Sequence, residues 1–231
     1  MALTLHAHPL SSFCHKVLIA LYENGTPFST HLVNLGEPDS RAAFLALWPI
    51  GKMPVLRDDI RGLTIPESTI IIEYLDRHYP GARPLLPATD DERREVRLWD
   101  RTFDHYVHIP VQKIVGDRLR ADGERDPRGV ADAQAMLRTA YDMVEQHMAD
   151  RTWVAGEHFT LADCSAEPAL FYAGMVMPFA QTHPRLAAYA ERLWGRPSVQ
   201  RVIAEARPYF HLFPVKGAIP ARFLRDEPPV A

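Results

Sequence analysis

Strand signals stop at Gly81. Upstream of it the chain alternates short strand-like and helix-like runs, whereas downstream, as far as Ala231, helical periodicity and loops account for the sequence. A chain that changes character once is not a single layered body. It predicts an α/β domain over 1–81, a proline-bearing linker over 82–89, and an all-helical domain over 90–231 that ends in an irregular tail. At 231 residues the chain can bury two modest cores.

In the first part, Leu3 to Ala7 alternates apolar and polar residues, as a half-buried strand does. Phe13, Val17, Ala20 and Leu21 then recur at helical spacing, and Asn24-Gly25 supplies a stop. Phe28 to Leu35 reads as a second strand and Ser40 to Trp48 as a short helix. Pro54-Val55-Leu56 and Leu63-Thr64-Ile65 flank a turn, and Ile70, Ile71, Tyr74 and Leu75 mark an apolar stripe on a helix from Glu67 to Tyr79. The first crossover requires parallel strands and the later hairpin an antiparallel pair, so the expected sheet is mixed and four-stranded.

Beyond the linker, Thr89-Asp90-Asp91-Glu92 is a capping-box pattern opening a long helix toward Arg120, with a kink expected at Pro110. Val130 to Met148 predicts another helix. Thr160-Leu161-Ala162-Asp163 opens a further one, with Asp163 where glutamate is more usual. Pro184–Trp194 and Ser198–Glu205 read as helices, and Pro208 onward as a tail rich in proline and aromatics.

Hydrophobic residues make up 47% and charged ones 24%, with a formal net charge of −3. No concentrated basic face exists for a nucleic-acid backbone, so no nucleic-acid partner is expected. No run reaches the roughly 18 apolar residues of a membrane helix, so no membrane partner is expected either. The two cysteines, Cys14 and Cys164, match no zinc or disulfide framework and fit a reducing compartment, and the first ten residues lack the apolar run of a secretory signal. The expectation is a cytoplasmic protein. His105 and His108 have a metal-compatible spacing with no further ligand evident, so no metal is expected.

Three local features carry chemistry. Ser11-Ser12-Phe13-Cys14 lies at the start of the first helix, where free N–H groups and a partial positive charge stabilise anions, including thiolates. The alternative is that a serine merely caps the helix. Gly51-Lys52-Met53-Pro54-Val55 sets a proline at the start of a strand. A cis bond there leaves the preceding backbone open to a peptide-like ligand, and a trans turn proline is the alternative. Pro66-Glu67-Ser68 precedes an apolar helix, so the Ser68 hydroxyl and the first helical N–H groups can receive a carboxylate while Glu67 neutralises an amine; ordinary capping is again the alternative. Cys14 reads most simply as an inward-facing helix residue.

Together these residues resemble the cytosolic glutathione S-transferase family. Ser11 to Leu21 is similar to the serine-type motif of the tau and zeta classes, Gly51 to Leu56 to the cis-proline segment, Glu67-Ser68 with Ile70 to Leu75 to the γ-glutamyl-binding helix, and Thr160 to Asp163 to the folding cap of the helical domain. The resemblance runs from Leu3 to about Glu205 and leaves the tail aside.

The resemblance implies a thioredoxin-like N-terminal domain, a helical-bundle C-terminal domain, and glutathione as co-substrate, with the thiolate transferred to a small hydrophobic electrophile. By position, Ser11 would hold the thiolate, with Ser12 beside it. Met53, next to Pro54, would pair with the cysteinyl unit, Lys52 with the glycyl carboxylate, Ser68 with the γ-glutamyl carboxylate and Glu67 with its amine. Leu10, Phe13, Phe103 and Tyr106 would line the electrophile pocket. A homodimer is also implied, the small domain of each subunit against the helical domain of the other. The apolar set Val96, Trp99, Phe103, Tyr106, Val107 and Pro110 is broad enough for part of it to face a partner. Phe13 and Cys14 depart from the zeta-class pattern, which has cysteine directly after the two serines, and no tyrosine precedes Tyr22. Ser11 stands where a glutaredoxin C-x-x-C would have its first cysteine, which excludes a dithiol mechanism. A glutathione-dependent isomerase or dehalogenase, a noncatalytic carrier of hydrophobic ligands, and a thiol transferase using Cys14 remain alternatives.

Overall fold

The computed structural model describes residues 2–215 and 217–225. The chain divides into two compact units, Met1–Leu86 and Pro87–Ala231.

In the first unit the order is β1 (Leu3–Ala7), α1 (Ser12–Asn24), β2 (Ser29–Leu32), α2 (Pro38–Leu47), β3 (Val55–Asp58), β4 (Leu63–Pro66) and α3 (Ser68–His78). The sheet order is β2-β1-β3-β4, with β1 and β2 parallel and the other two pairs antiparallel. This is the mixed four-stranded sheet the alternation of signals predicts, in a thioredoxin-like domain. The alternation in β1 becomes alternation of burial: Leu3, Leu5 and Ala7 are inside, and Thr4 and His6 are half-buried. Helix α1 ends because Gly25 takes the left-handed conformation, φ 62°, and returns its N–H to Tyr22. The expected strand from Phe28 shrinks to four residues.

The second unit contains α4 (Asp90–Thr102), a π-helical segment Phe103–His108, α5 (Ile109–Arg118), α6 (Pro127–His147), α7 (Leu161–Val176), α8 (Pro184–Trp194), α9 (Pro197–Ala206) and the short α10 (Ala221–Leu224). Thr89 caps α4, accepting from the Glu92 N–H while its own hydroxyl donates to the Glu92 carboxylate at 2.6 Å. The long helix expected toward Arg120 is interrupted before Pro110, not at it. The π segment absorbs the irregularity, and Pro110 then occupies the first turn of α5, where its missing N–H matters least. The wider turn sends adjacent residues inward in pairs, Phe103 with Asp104 and Val107 with His108.

Helix α7 is the axis of this unit and is buried along nearly its whole length. Its start is a true capping box of Thr160 and Asp163. Its middle carries Glu167, fully buried, with no hydrogen-bond partner for either oxygen among the described residues. Burial pushes the Glu167 carboxyl up to about 8, so the folded state holds its proton while the unfolded chain ionises from 4.5. Its contribution is therefore complete at acid pH and is lost as pH rises through that interval. His6, His8, His15 and His147 are all depressed by burial and act in the opposite sense, over an interval that runs through the ordinary histidine value of 6.5. In denaturant titrations between pH 5.5 and 7.5 Glu167 is expected to lower stability by roughly 1 kcal/mol per pH unit, read as the difference from Glu167→Gln, in which the histidine contribution is the same. An equal slope in the variant would assign the titration to another group.

Candidate active site

One rung of the sheet collects the three chemistry-bearing segments. His6 of β1 lies opposite Val55 of β3, and Val55 lies opposite Pro66 of β4. The chain leaves β1 toward Ser11, enters β3 from Met53-Pro54, and leaves β4 into Glu67-Ser68, all at this end. Strands sit about 4.8 Å apart, so the three segments are neighbours although they are far apart in sequence. The N-termini of α1 and α3 open at the same end, and each offers a partial positive charge.

Ser11 is the N-cap residue of α1, but its side chain makes no capping hydrogen bond. A hydrogen bond instead joins it to the Cys14 sulfur. The backbone around it is fixed: the Ser11 N–H donates to His8 O at 2.9 Å, and the Cys14 and His15 N–H groups return to Ser11 O. His15, fully buried, pairs its Nε2 with Pro9 O at 2.6 Å and ties the loop to the helix that follows. Leu10, Ser12 and Phe13 are half-buried beside it.

Cys14 is inward-facing. It is fully buried, and burial raises its thiol to about 11 despite the hydrogen bonds from Ser11 and from the His8 backbone. A thiol so held is neither exposed nor ionised near neutrality, which argues against a Cys14 nucleophile.

The Met53–Pro54 peptide bond is cis. Met53 packs its side chain against the buried cluster Val33, Phe44 and Val55, and its backbone lies before the paired part of β3. Lys52 is exposed. Glu67, also exposed, is the sole non-glycine residue with positive φ among those described, at 69°. A non-glycine there costs on the order of 1–3 kcal/mol, and such strain collects where function holds it in place. Ser68 follows as the first residue of α3, nearly buried.

Sequence reasoning missed two supports. Lys16 is fully buried and donates to Thr69 Oγ1 at 2.9 Å, fastening α1 to the first turn of α3. His15 holds the Ser11 loop. Both read in sequence as ordinary polar positions inside an amphipathic helix, and only the packing of α1 on α3 gives them their role.

In the second unit Phe103 and Tyr106 part company. Phe103 is fully buried against Trp99, at 6.2 Å between ring centroids, and is a core residue; Tyr106 is half-exposed. Burial also removes Val96, Trp99, Val107 and Pro110 from the apolar set that was expected to reach a partner, because the π segment and α7 enclose them. His105 is exposed while His108 is buried, so the two do not converge. Among the described residues no group of three or more His, Cys, Asp or Glu side chains is placed to hold a metal ion. The tail aromatics pack inside their own unit, Phe210 against Phe171 and Phe213 against Tyr172.

A thioredoxin-like domain with two helix N-termini and a serine hydroxyl not used as a helix cap at one end of its sheet, followed by a helical domain, defines a class of thiol-handling two-domain proteins. Residues 5–83 match the family model of the glutathione S-transferase N-terminal domain, and residues 124–192 that of the C-terminal domain. Glutathione S-transferase 3 of Zea mays is 31% identical over 214 residues, covering 87% of this chain and 93% of that protein. A glutathione S-transferase from Methylobacillus flagellatus, solved with GSH bound, superposes with a TM-score of 0.81 at 25% identity, covering 87% of this chain and 98% of the other. One from Methylobacterium radiotolerans, in complex with glutathione sulfonate, gives 0.77 at 27% identity, covering 87% and 93%. The chain belongs to the glutathione S-transferase family and is an enzyme of that family.

Proposed function

We propose that the protein binds glutathione at the His6–Val55–Pro66 end of its sheet and transfers the thiolate to a small hydrophobic electrophile. The observation that carries this reading is the convergence of Ser11, Met53-Pro54 and Glu67-Ser68 on that single rung, flanked by two helix N-termini. Glutathione offers a thiol, two carboxylates, one amine and a peptide backbone, and the residues at this end complement each. Ser11 donates to the sulfur, and the start of α1 favours its ionised form. The Met53 backbone pairs with the cysteinyl unit, with Pro54 holding that turn. Lys52 meets the glycyl carboxylate, Ser68 and the first N–H groups of α3 the γ-glutamyl carboxylate, and Glu67 the amine. Ser12, at the first position of α1, contributes its N–H to the same positive end. The thiol loses its proton, and the sulfur lone pair then forms a bond to the electrophilic carbon as the leaving group departs with the displaced pair.

Ser68→Ala is expected to raise the glutathione dissociation constant about tenfold or more, the counterpart of a charge-assisted hydrogen bond of roughly 1.5–3 kcal/mol. Isothermal calorimetry with reduced glutathione checks this, and unchanged affinity would remove the γ-glutamyl site.

The protein acts as a homodimer in this reading, in the cytoplasm. Leu98, Tyr106 and Ile109 in the helical unit and Ile60 and Ile70 in the first unit expose apolar surface that a two-fold partner can cover. Among the described residues no helix is long and apolar enough to cross a membrane. Light scattering at low micromolar protein is expected to give twice the 26.2 kDa chain mass, and the single-chain mass would refute the dimer.

A further inference from the structure

Helix α1 carries a charge where the packing calls for an apolar side chain. Lys16 is among the largest side chains that the fold buries completely, and its inward neighbours Cys14, Val17, Leu18 and Ile19 are apolar. Its Nζ donates to Thr69 Oγ1 at 2.9 Å, and Thr69 is the second residue of α3. We propose that Lys16 is a positioning residue for glutathione: acting through Thr69, it fixes the first turn of α3 to receive the γ-glutamyl carboxylate and sets a positive charge behind that carboxylate. The inference rests on the glutathione reading of this end of the sheet and adds to it a residue that lies beneath the surface.

The start of α3 suits an anion. Its N-cap residue, Glu67, makes no side-chain capping hydrogen bond, and its first turn holds no acidic residue. The Ile71 N–H, returning to Glu67 O at 2.8 Å, bonds back along the helix, and the N–H groups ahead of it face the helix end. They carry the partial positive charge of the helix.

Lys16 adds a full charge to that partial one. A threonine Oγ1 lies about 3 Å from its own backbone nitrogen, so an ammonium 2.9 Å from Thr69 Oγ1 stands within roughly 6 Å of the Thr69 N–H. Opposite charges at such a separation attract usefully when protein lies between them, because the effective dielectric there is well below that of water. Lys16 also shares a face of α1 with Ser12, one turn inside the end assigned to the thiolate. Its reach to Thr69 thus sets two helix ends relative to each other, one for the sulfur and one for the carboxylate.

Packing alone does not account for a lysine. A methionine is nearly as long, would fill the space between α1 and α3, and would avoid the desolvation of an ammonium. A charge kept in such a place is expected to act on something, and the element that its Nζ reaches is the anion-receiving end of α3.

Isothermal calorimetry on the full chain compares reduced glutathione with 4-aminobutanoyl-cysteinylglycine, which is glutathione without the γ-glutamyl carboxylate. The unmodified protein is expected to prefer glutathione. Lys16→Met should weaken glutathione about tenfold and change the analogue by less than about twofold. Thr69→Ser, which keeps the oxygen, should retain the preference. An equal loss for both ligands in Lys16→Met makes the lysine a structural prop and overturns the inference, as do unchanged glutathione affinity in that variant and an unmodified protein without the preference. Should Lys16→Met not fold, Thr69→Val, which removes the oxygen that holds the ammonium, decides: a loss of about threefold or more confined to glutathione supports the inference, and any other result overturns it. An unmodified protein that binds neither ligand overturns the glutathione reading as well, whereas an equal loss in the variant leaves that reading standing.

Discussion

Removing the Ser11 hydroxyl is expected to lower turnover about a hundredfold while glutathione still binds. In the proposed binding mode the carboxylate and amine contacts of the tripeptide are made elsewhere, by Lys52, Glu67 and Ser68, so Ser11→Ala is expected to leave most of the binding intact. The loss falls on the sulfur, where one preorganised donor is worth on the order of 10²-fold in rate. The structure sharpens this expectation, because the hydroxyl is not used as a helix cap and its partner is the Cys14 sulfur. Cys14→Ala should therefore retain the rate and alter only packing. Steady-state kinetics with an activated aryl chloride, run on Ser11→Ala, Ser12→Ala and Cys14→Ala, separates the three. Full activity in Ser11→Ala with loss in either of the others would transfer the role.

The second large effect concerns folding. Asp163 is fully buried and accepts from Thr160 N–H at 2.8 Å, Thr160 Oγ1 at 3.1 Å, Val154 N–H at 3.2 Å and Tyr189 O–H at 2.6 Å. Asp163→Ala strands several donors in the interior, each costing about 1–3 kcal/mol, and removes the cap of the helix on which the rest of the unit packs. The expected loss is about 4 kcal/mol or more, enough to unfold a protein of ordinary stability. Asp163→Asn keeps the shape and one acceptor and should fall between. Urea unfolding of the three proteins measures this; a loss below about 1 kcal/mol in the alanine variant would mean that the cap is ornamental.

Much of this was legible in the residues. The strand and helix order of the first unit follows from period-two and period-3.6 runs divided by Asn24-Gly25 and Pro80-Gly81, and the capping box was visible as Thr160-x-x-Asp163. The N-termini of α1 and α3 could be placed because Ser11 and Ser68 each precede an apolar run. What was hidden depends on tertiary packing. Nothing local marks Glu167 for full burial, since its neighbours permit either a half-exposed or an enclosed helix. Glu67 has no sequence sign of positive φ, which the junction of β4 with α3 imposes. Phe103, placed on a pocket wall by the family resemblance, is buried because the π turn sends it inward, and a π turn and an α turn differ by one residue over a stretch too short for periodicity to distinguish. The expected kink at Pro110 failed for the same reason.

That π turn has a further consequence for how the chain can change in length. A single residue inserted in an α-helix rotates everything beyond it by roughly 100°, and an inserted residue in α6 or α7 would turn apolar side chains outward and polar ones in. Between Phe103 and His108 the helix already holds the looser spacing, with neighbouring pairs of residues facing the interior. Loss of one residue there tightens the turn and leaves one member of each pair inside. The segment is thus the place in the helical unit where evolution can add or remove a residue while the core contacts on either side keep their register.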